Sequence, residues 1–351
     1  MIDQNHIVFI TDVHLGLRFP YTTHVTKDKV AKMQHEALKA LHMLPGKKAI
    51  LGDLFHSFMP TAATLCQAIN VLNDAYERGT GRETVTVLAG NHDESKIRTD
   101  ASGLDLLADL MSGSIGFVID QHRVMVMDNV ELYLIPHQLT QELFDAAIKV
   151  AAESTPKAVI RILCLHCNQG DFPGNQAENY LSTEQLKTLS GFDKVVSGHE
   201  HSAKTVMNME YPGSVVPCSF AEFDQRYVLS VHAITGEFHR TKYEDIPGFP
   251  DYSYARMDVN DFVAAAPDAI GAKFVEVTGI VSPAESVALT SAITKRLSDG
   301  TQLAIKPAVT IQNSELVGDA PAALANVENW WSVVQSRLNP EGNAYFNTYF
   351  E

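Results

Sequence analysis

The chain has 351 residues, four cysteines and a formal net charge of −15, so it is long enough for two or three domains and needs no disulfides. It shows no secretory signal and no run of about 18 apolar residues, which favours a cytoplasmic protein without a membrane partner. The acidic charge opposes nonspecific binding to nucleic acid unless metal ions or a basic partner offset it.

Five short apolar runs, taken in chain order, each end in residues that can bind a metal ion. They are 7–10 before Asp12 and His14, 49–51 before Asp53, 85–89 before Asn91, His92 and Asp93, 160–165 before His166, and 195–197 before His199 and His201. Their valine and isoleucine content predicts buried strands. Helical patterns separate several runs, so the alternation predicts an α/β layered core with these polar residues at one edge of a sheet.

The polar residues at these strand ends predict a metal centre. One histidine beside an apolar run is more often structural, but five ends that offer carboxylate, amide and imidazole donors indicate a ligand set. Mixed oxygen and nitrogen ligands favour manganese, iron or zinc over calcium. Cys164 and Cys167 have zinc-knuckle spacing, yet no second cysteine pair completes such a site. We therefore expect ordinary packing for both sulfurs and no thiolate in the metal centre.

The five motifs resemble those of the calcineurin-like metallophosphoesterases, in which D-x-H, G-D, G-N-H-D, a single H and G-H-x-H follow in this order. The resemblance covers about residues 7–235. It implies two β-sheets flanked by helices and two divalent metal ions, expected to be Mn²⁺ with Mg²⁺ as the alternative. Asp53 would bridge the ions, Asp12, His14 and His201 would complete the first site, and Asn91, His166 and His199 would complete the second.

The same resemblance implies catalytic roles for three residues beside the ligands. A pair of metal ions activates water for in-line attack on a phosphate. His92 would protonate or stabilise the leaving oxygen, and Asp93 would orient the imidazole of His92. The alternative for Asp93 is a simple turn residue. His56 would be a second catalytic histidine.

Local motifs are similar to those of one subfamily, the SbcD-type DNA repair nucleases. Residues 52–56 read G-D-L-F-H, without the arginine of protein phosphatases or the tyrosine of purple acid phosphatases. Residues 211–214 match a Y-x-G-S motif, and residues 12–16 match a D-x-H-L-G start. The chain departs from these nucleases at 215–218 and at His137, where relatives often have tyrosine.

The SbcD resemblance implies a function and partners. It implies a metal-dependent exonuclease and endonuclease that hydrolyses DNA phosphodiesters in recombination, repair or replication. The expected partners are a coiled-coil ATPase similar to SbcC and a second copy of the chain, in the cytoplasm or, for a phage protein, in the host cytoplasm. One alternative is a small-molecule phosphodiesterase or phosphatase of the same fold. Another is a non-catalytic assembly subunit.

The chain is predicted to have three parts. Residues 1–246 form the metallophosphoesterase domain, and the breaker residues at 247–250 end it. Residues 251–312 form a smaller α+β cap, which either helps to hold DNA or is purely structural. Residues 320–351 form a helical segment whose apolar stripe fits either its own domain or a partner, and the family resemblance favours the ATPase partner.

Overall fold

The structure is a computed structural model that divides into two units. It describes residues 2–78, 85–95, 101–111, 115–170, 178–223 and 226–311, with the backbone alone for 74–78. The first unit is Met1–Phe19 with Lys27–Tyr252, and the second is Pro20–Thr26 with the chain from Ser253 onward. The predicted C-terminal helical segment, 320–351, lies outside the described residues.

Seventeen strands, seven α-helices and two short 3-10 helices lie within the described residues. The strands are β1 (His6–Ile10), β2 (Lys47–Leu51), β3 (Val85–Leu88), β4 (Gly116–Val118), β5 (Arg123–Met127), β6 (Val130–Leu134), β7 (Ile160–His166), β8 (Asn168–Gln169), β9 (Tyr180–Leu181), β10 (Lys194–Gly198), β11 (Lys204–Val206), β12 (Met209–Tyr211), β13 (Tyr227–His232), β14 (Phe238–Lys242), β15 (Tyr254–Asp258), β16 (Phe274–Val281) and β17 (Ala304–Ile311). The helices are α1 (His24–Met43), α2 (Ala62–Arg78), α3 (Gly103–Leu110), α4 (Gln141–Ala152), α5 (Thr183–Thr188), α6 (Val259–Ala264) and α7 (Pro283–Asp299), and the 3-10 helices are Tyr243–Asp245 and Pro267–Ala269. Within this part of the chain, no helix combines the length and the apolar character that a membrane crossing needs.

The first unit contains two six-stranded sheets. The first sheet has the order β14-β13-β1-β2-β3-β4, in which β1 to β4 are parallel and β13 and β14 extend the sheet antiparallel. The second sheet has the order β11-β12-β10-β7-β6-β5, in which the four central strands are parallel and both edge strands are antiparallel. The two-sheet core that the family resemblance implies is therefore confirmed.

The expectation that the five motif-bearing strands share one sheet is wrong. β1, β2 and β3 lie in the first sheet, whereas β7 and β10 lie in the second. Alternation of strands and helices predicts parallel pairing, but it does not determine which sheet a later strand joins. The chain leaves the first sheet after β4 and begins the second sheet with the β5–β6 antiparallel pair.

The two sheets pack face to face between outer layers of helices. Successive side chains of a strand point to opposite faces, so Ile7 and Phe9 of β1 face the second sheet and Val8 and Ile10 face the helices. Helices α1, α2 and α3 cover the first sheet, and α4 and α5 cover the second. Burial of a side chain such as that of Phe9, 1% exposed, contributes about 1.5–3 kcal/mol.

Helix α5 begins with a side-chain cap at Ser182. Ser182 accepts a hydrogen bond from the backbone N–H of Gln185 (3.2 Å), and the Gln185 side chain accepts one from the backbone N–H of Ser182 (2.9 Å). These two bonds form a capping box. The helix directs the chain into β10, which ends at the G-H-x-H motif.

The second unit has a three-stranded sheet with the order β15-β16-β17. Helix α7 lies between β16 and β17 in the chain. All three strands are parallel, and α6 and α7 connect them in a β-α-β-α-β order. Phe262, Val275, Leu289 and Ile305 form part of its own apolar core.

Candidate metal centre

The loops after β1 and β2 run side by side beyond the sheet. The backbone N–H of His14 donates to the carbonyl of Asp53 (2.9 Å), and that of His56 donates to the carbonyl of Leu15 (3.0 Å). These bonds hold the first two motifs together through their backbones. Asp12, His14 and Asp53 all have a positive φ, of 52°, 49° and 52°, which is costly for residues other than glycine.

One group of ligand atoms joins the two sheets around His166. The Nε2 atom of His166 lies 3.0 Å from Asn91 Oδ1 and 3.4 Å from Asp53 Oδ2. His199 Nδ1 lies 3.0 Å from the same Asn91 oxygen. On the other side of the ring, Nδ1 of His166 donates to the Leu51 carbonyl (2.9 Å), so Nε2 is the nitrogen that faces the other ligands. The four residues predicted for the second site and its bridge are thus brought together.

A second group of ligand atoms surrounds His14. Its Nε2 atom lies 3.0 Å from Nε2 of His201 and 3.6 Å from Oδ2 of Asp53. Asp12 Oδ1 lies 4.0 Å from His201 Nε2. The other carboxylate oxygen of Asp12, Oδ2, is buried and has no hydrogen-bond partner among the described residues. The residues predicted for the first site are therefore also neighbours.

These observations fit a site for divalent cations. Two ring nitrogens 3.0 Å apart, on His14 and His201, require a proton or a cation between them. A buried carboxylate oxygen without a partner, such as Asp12 Oδ2, is costly unless a cation neutralises it. Asp12, Asp53 and His166 also offer ligand atoms that lie within 4.8 Å of one another. The donor set of carboxylate, amide and imidazole suits manganese, iron or zinc.

The electrostatics of the buried histidines support this assignment. Burial lowers the pKa of His14 to about 3, and burial together with the charge of His166 lowers the pKa of His199 to about 4. Both imidazoles are therefore neutral and able to donate a lone pair. Burial opposes the charge of His166, but Asp53 and Asp12 outweigh it and raise its pKa to about 9. The same negative potential attracts metal cations.

Three motif glycines leave room for the ligand side chains. A Cβ on Gly90 would lie 2.9 Å from Cε1 of His166 and would overlap the carboxylate of Asp53. A Cβ on Gly198 would lie 2.8 Å from Nδ1 of the same ring. Gly52 has a φ of +88°, and a Cβ added to it would come even closer to the His166 ring. The glycines of G-D, G-N-H-D and G-H-x-H are therefore required by close packing against His166.

His56 and His92 form a half-buried pair beside the ligands. Their rings are stacked with centroids 5.2 Å apart, and each ring lies 5.1–5.3 Å from that of His14. His92 Nδ1 donates to the carbonyl oxygen of His56 (2.8 Å). The backbone N–H of His92 donates to Asp53 Oδ1 (3.0 Å). The ring of His92 is thus oriented by the chain itself, with Nε2 left for another partner.

From the sequence we expect Asp93 to orient the imidazole of His92, but the carboxylate of Asp93 bonds to backbone N–H groups instead. Its carboxylate accepts hydrogen bonds from the backbone N–H groups of Leu54 (3.2 Å), Phe55 (2.9 Å) and Gly90 (3.1 Å). A G-N-H-D turn brings the buried carboxylate under the loop after β2, where these donors converge. Asp93 therefore supports His92 indirectly, because it fixes the backbone that carries the His56 carbonyl.

Comparison with known proteins agrees with this geometry. Residues 6–203, which are more than half of the chain, match the family described as calcineurin-like phosphoesterase. The chain belongs to this family. Its members hydrolyse phosphoesters with bound metal ions, and the ligand groups of this calcineurin-like phosphoesterase are consistent with that activity.

Two solved structures match this calcineurin-like phosphoesterase at low sequence identity. The phosphoesterase YfkN from Bacillus subtilis is 13% identical with a TM-score of 0.32, covering 68% of this chain and 88% of that chain. AQ665 from Aquifex aeolicus, a protein of unknown function, is 14% identical with a TM-score of 0.24, covering 52% and 92%. Scores this low support no argument about function. No curated protein matches the chain.

Two acidic residues support the ligands of this phosphoesterase without being visible in the motifs. Glu222 Oε2 lies 3.1 Å from Nδ1 of His201, and Glu178 Oε2 lies 3.5 Å from Nε2 of His199. A carboxylate on the outer nitrogen of a ligand histidine orients the ring and raises its basicity. Both acids come from loops with no regular spacing from their histidines, so no sequence pattern predicts them.

Cys218 is a further residue at the site that the sequence analysis missed. Cys218, His14 and His201 offer ligand atoms that all lie within 4.8 Å of one another. From the sequence we expect no thiolate in the metal centre, and the structure places the Cys218 sulfur beside two of the predicted ligands. The two sulfurs for which packing was expected, those of Cys164 and Cys167, are indeed buried in the cores of the unit.

The Tyr211–Ser214 segment holds the metal-ligand loops. The Tyr211 hydroxyl is buried and donates to the Cys167 carbonyl (3.1 Å). The backbone N–H of Ser214 donates to the His201 carbonyl (3.0 Å), and the Gly213 carbonyl accepts a hydrogen bond from the Thr11 side chain (2.8 Å). In this chain the Y-x-G-S motif therefore positions the D-x-H and G-H-x-H loops.

Proposed function

We propose that this calcineurin-like phosphoesterase is a DNA nuclease of the SbcD type that uses two divalent ions, with Mn²⁺ as the expected metal. The proposal includes a coiled-coil ATPase partner similar to SbcC and a homodimer. The observation that carries it is the position of His56, whose G-D-L-F-H motif resembles that of these nucleases and whose ring stacks on His92.

The two histidines suit the cleavage of a phosphodiester. When a phosphodiester is hydrolysed, the ester oxygen departs as an alkoxide, which needs a proton or a hydrogen-bond donor in the transition state. His92 is oriented by its Nδ1 bond to the His56 carbonyl, so its Nε2 can serve that purpose. His56 is half-buried and adjacent, so it offers a second donor to the phosphate or to the leaving group.

The other residues of the site bind the metal ions or hold the ligand loops in place. When bound, the metal pair supplies Lewis acidity and an activated water nucleophile. Asp53 links the two ligand groups, because its carboxylate lies beside both His14 and His166. Asn91 joins His166 and His199 within one group. Asp93 keeps the loop of His56 fixed. The chain therefore holds the metal ligands and the two imidazoles in one place before substrate arrives.

The acidic composition is consistent with a partner that helps to bind DNA. A net charge of −15 repels the DNA backbone, and neutralising each phosphate contact requires basic groups. An ATPase partner with a basic surface would provide them. The segment proposed to bind this partner, 320–351, lies outside the described residues.

Digestion of end-labelled duplex DNA tests the proposal. The protein is incubated with Mn²⁺ or Mg²⁺, with and without a candidate ATPase, and bis-p-nitrophenyl phosphate is assayed in parallel. We expect Mn²⁺-dependent shortening of the labelled strands and inhibition of the small-ester reaction by unlabelled DNA. Turnover of the small ester without cleavage of DNA, and without inhibition by unlabelled DNA, would favour the alternative, a small-molecule phosphodiesterase.

A matched pair of variants tests the role of His56. His56→Ala is expected to lower DNA cleavage by about 10²–10⁴-fold while metal binding is retained. The control is His122→Ala, because His122 is an exposed histidine that stacks on Tyr133 and belongs to neither ligand group. Equal activity of the two variants would contradict the role of His56, and failure of the wild-type chain to bind metal would favour a non-catalytic subunit.

A further inference from the structure

Cys218 differs from the other described cysteines in its surroundings. Cys164 and Cys167 lie in apolar cores, and Cys66 is exposed on α2. Cys218 is half-buried, and its sulfur lies within 4.8 Å of the ligand nitrogens of both His14 and His201. It is therefore part of a three-residue ligand group.

A second observation indicates that a cation belongs at this position. The carboxylate of Asp12 is completely buried, and its Oδ2 atom has no hydrogen-bond partner among the described residues. Its other oxygen lies 4.0 Å from Nε2 of His201, which in turn lies 3.0 Å from Nε2 of His14. An unpaired buried carboxylate oxygen beside two facing imidazole nitrogens requires positive charge.

One carboxylate fixes Cys218 relative to its neighbouring ligand. Glu222 Oε2 accepts a hydrogen bond from the backbone N–H of Cys218 (2.8 Å) and lies 3.1 Å from Nδ1 of His201. The other oxygen of Glu222 accepts a bond from the Ser219 hydroxyl (2.9 Å). The thiol itself has a long contact of 3.8 Å to the carbonyl of Val216. The backbone of Cys218 is thus held by Glu222, and its side chain also interacts with that of His201.

We propose that Cys218 is a thiolate ligand of the metal ion that Asp12, His14 and His201 bind. On binding, the S–H bond breaks, its proton passes to solvent, and a sulfur–metal bond forms with no change of oxidation state. Thiolates favour Zn²⁺ or Fe²⁺ over Mn²⁺ and Mg²⁺. This position therefore selects a thiophilic ion, whereas the position around Asn91, His166 and His199 has only oxygen and nitrogen ligands.

This proposal rests on the metal centre of the proposed function and not on DNA as the substrate. Its test therefore needs no substrate. The full chain is freed of metal and titrated with Co²⁺, and the absorption spectrum is recorded. A cobalt–thiolate bond produces an intense charge-transfer band in the near ultraviolet, which oxygen and nitrogen ligands do not produce. We expect this band in the wild-type chain.

Two variants assign the band to one sulfur. Cys218→Ser is expected to lose the charge-transfer band and to lower Zn²⁺ affinity by at least about tenfold, the scale seen when metal sites lose a supporting group. Mn²⁺ affinity should change much less. Cys66→Ser, a substitution of an exposed cysteine, is the matched control and should keep both the band and the affinity.

Alkylation of the wild-type chain provides a measurement that does not depend on a variant. Iodoacetamide should modify Cys218 in the metal-free protein, and Zn²⁺ should protect it, as read by peptide mass spectrometry. Binding of Co²⁺ without a charge-transfer band, or modification of Cys218 that Zn²⁺ does not slow, would overturn the thiolate ligand and leave the proposed function standing. Failure to bind any metal would overturn both.

Discussion

Replacement of Gly52 by alanine should damage the metal centre through a single buried contact. Gly52 lies directly after β2 and has a φ of +88°. An added Cβ would lie 2.5 Å from Cγ and 2.8 Å from Cε1 of His166, and closer still to Nδ1. Ordinary contact is about 3.5 Å, so the ring has to move by roughly 1.5 Å to clear Nδ1. That movement breaks the hydrogen bond from Nδ1 to the Leu51 carbonyl.

The expected magnitude has two separable parts. Alanine at positive φ costs about 1–2 kcal/mol, and loss of a buried hydrogen bond adds about 1–3 kcal/mol. Displacement of Nε2 from the other ligands should also weaken metal binding by about 10–100-fold, as changes around metal-binding histidines do. Gly248→Ala isolates the first part, because Gly248 has a φ of +78° and nothing lies within 4 Å of its added Cβ.

Urea unfolding followed by circular dichroism, in the presence of chelator, measures the stability of both variants. Isothermal titration with Mn²⁺ measures their metal affinity. We expect Gly52→Ala to lose more unfolding free energy than Gly248→Ala and to be the only one of the two that binds metal more weakly. Equal stability losses together with equal metal affinities would refute the reasoning, because backbone strain alone would then explain Gly52.

Three further predictions concern other parts of the first unit. His92→Ala should lower phosphodiester cleavage by about 10²–10⁴-fold without loss of metal, because the backbone bond of residue 92 to Asp53 remains. Loss of metal in a binding titration would contradict the catalytic role of His92. Glu222→Gln should weaken metal binding by about 10–100-fold, whereas Glu237→Gln, at an exposed Glu–His pair, should leave the metal affinity unchanged. Equal metal affinities of these two variants would contradict the role of Glu222 in supporting His201. Burial lowers the pKa of Lys48 from 10.5 to about 8, so the unfolded chain binds more protons between these values and the free energy of unfolding rises with pH there. Lys48→Met should reduce that rise in urea titrations, and an unchanged slope would contradict the effect of burial.

The sequence predicts the ligands of this site well because the signal is local. A short apolar run followed by Asp53 or His166 predicts both the end of a strand and the metal ligand that follows it. The sheet assignment is not local: β3 and β7 look alike in sequence, yet they join different sheets. The sheet that a strand joins depends on pairing between residues far apart in the chain, and strand periodicity does not predict that pairing.

The residues that support the ligands are harder to predict for a similar reason. Glu222 reaches His201 from a loop that follows β12, and Cys218 lies in the same loop. Neither residue has a fixed spacing to the motif that it supports. Their positions depend on how the Tyr211–Ser214 segment folds back on the G-H-x-H loop, which is a tertiary contact. Asp93 follows His92 in the sequence, but its carboxylate bonds to the backbone of the loop after β2.

The backbone of the site also predicts how the fold responds to metal removal. Asp12, His14 and Asp53 hold positive φ angles at a cost of about 1–2 kcal/mol each, and this strain is offset by bonds that involve no metal. The loops after β1 and β2 bond to each other, and Asp93 accepts three backbone N–H groups.

We therefore expect the ligand loops to keep their shape without metal, unlike small zinc domains that unfold when their ion is removed. Addition of a chelator should leave the far-ultraviolet circular dichroism unchanged and lower only the free energy of unfolding. Because metal binds the folded state, that loss should grow with the metal concentration of the reference sample, by about 1.4 kcal/mol for each tenfold increase per independent site. Collapse of the dichroism signal on chelation would mean that the ions, and not the backbone bonds, hold Asp12, His14 and Asp53 in their strained conformations.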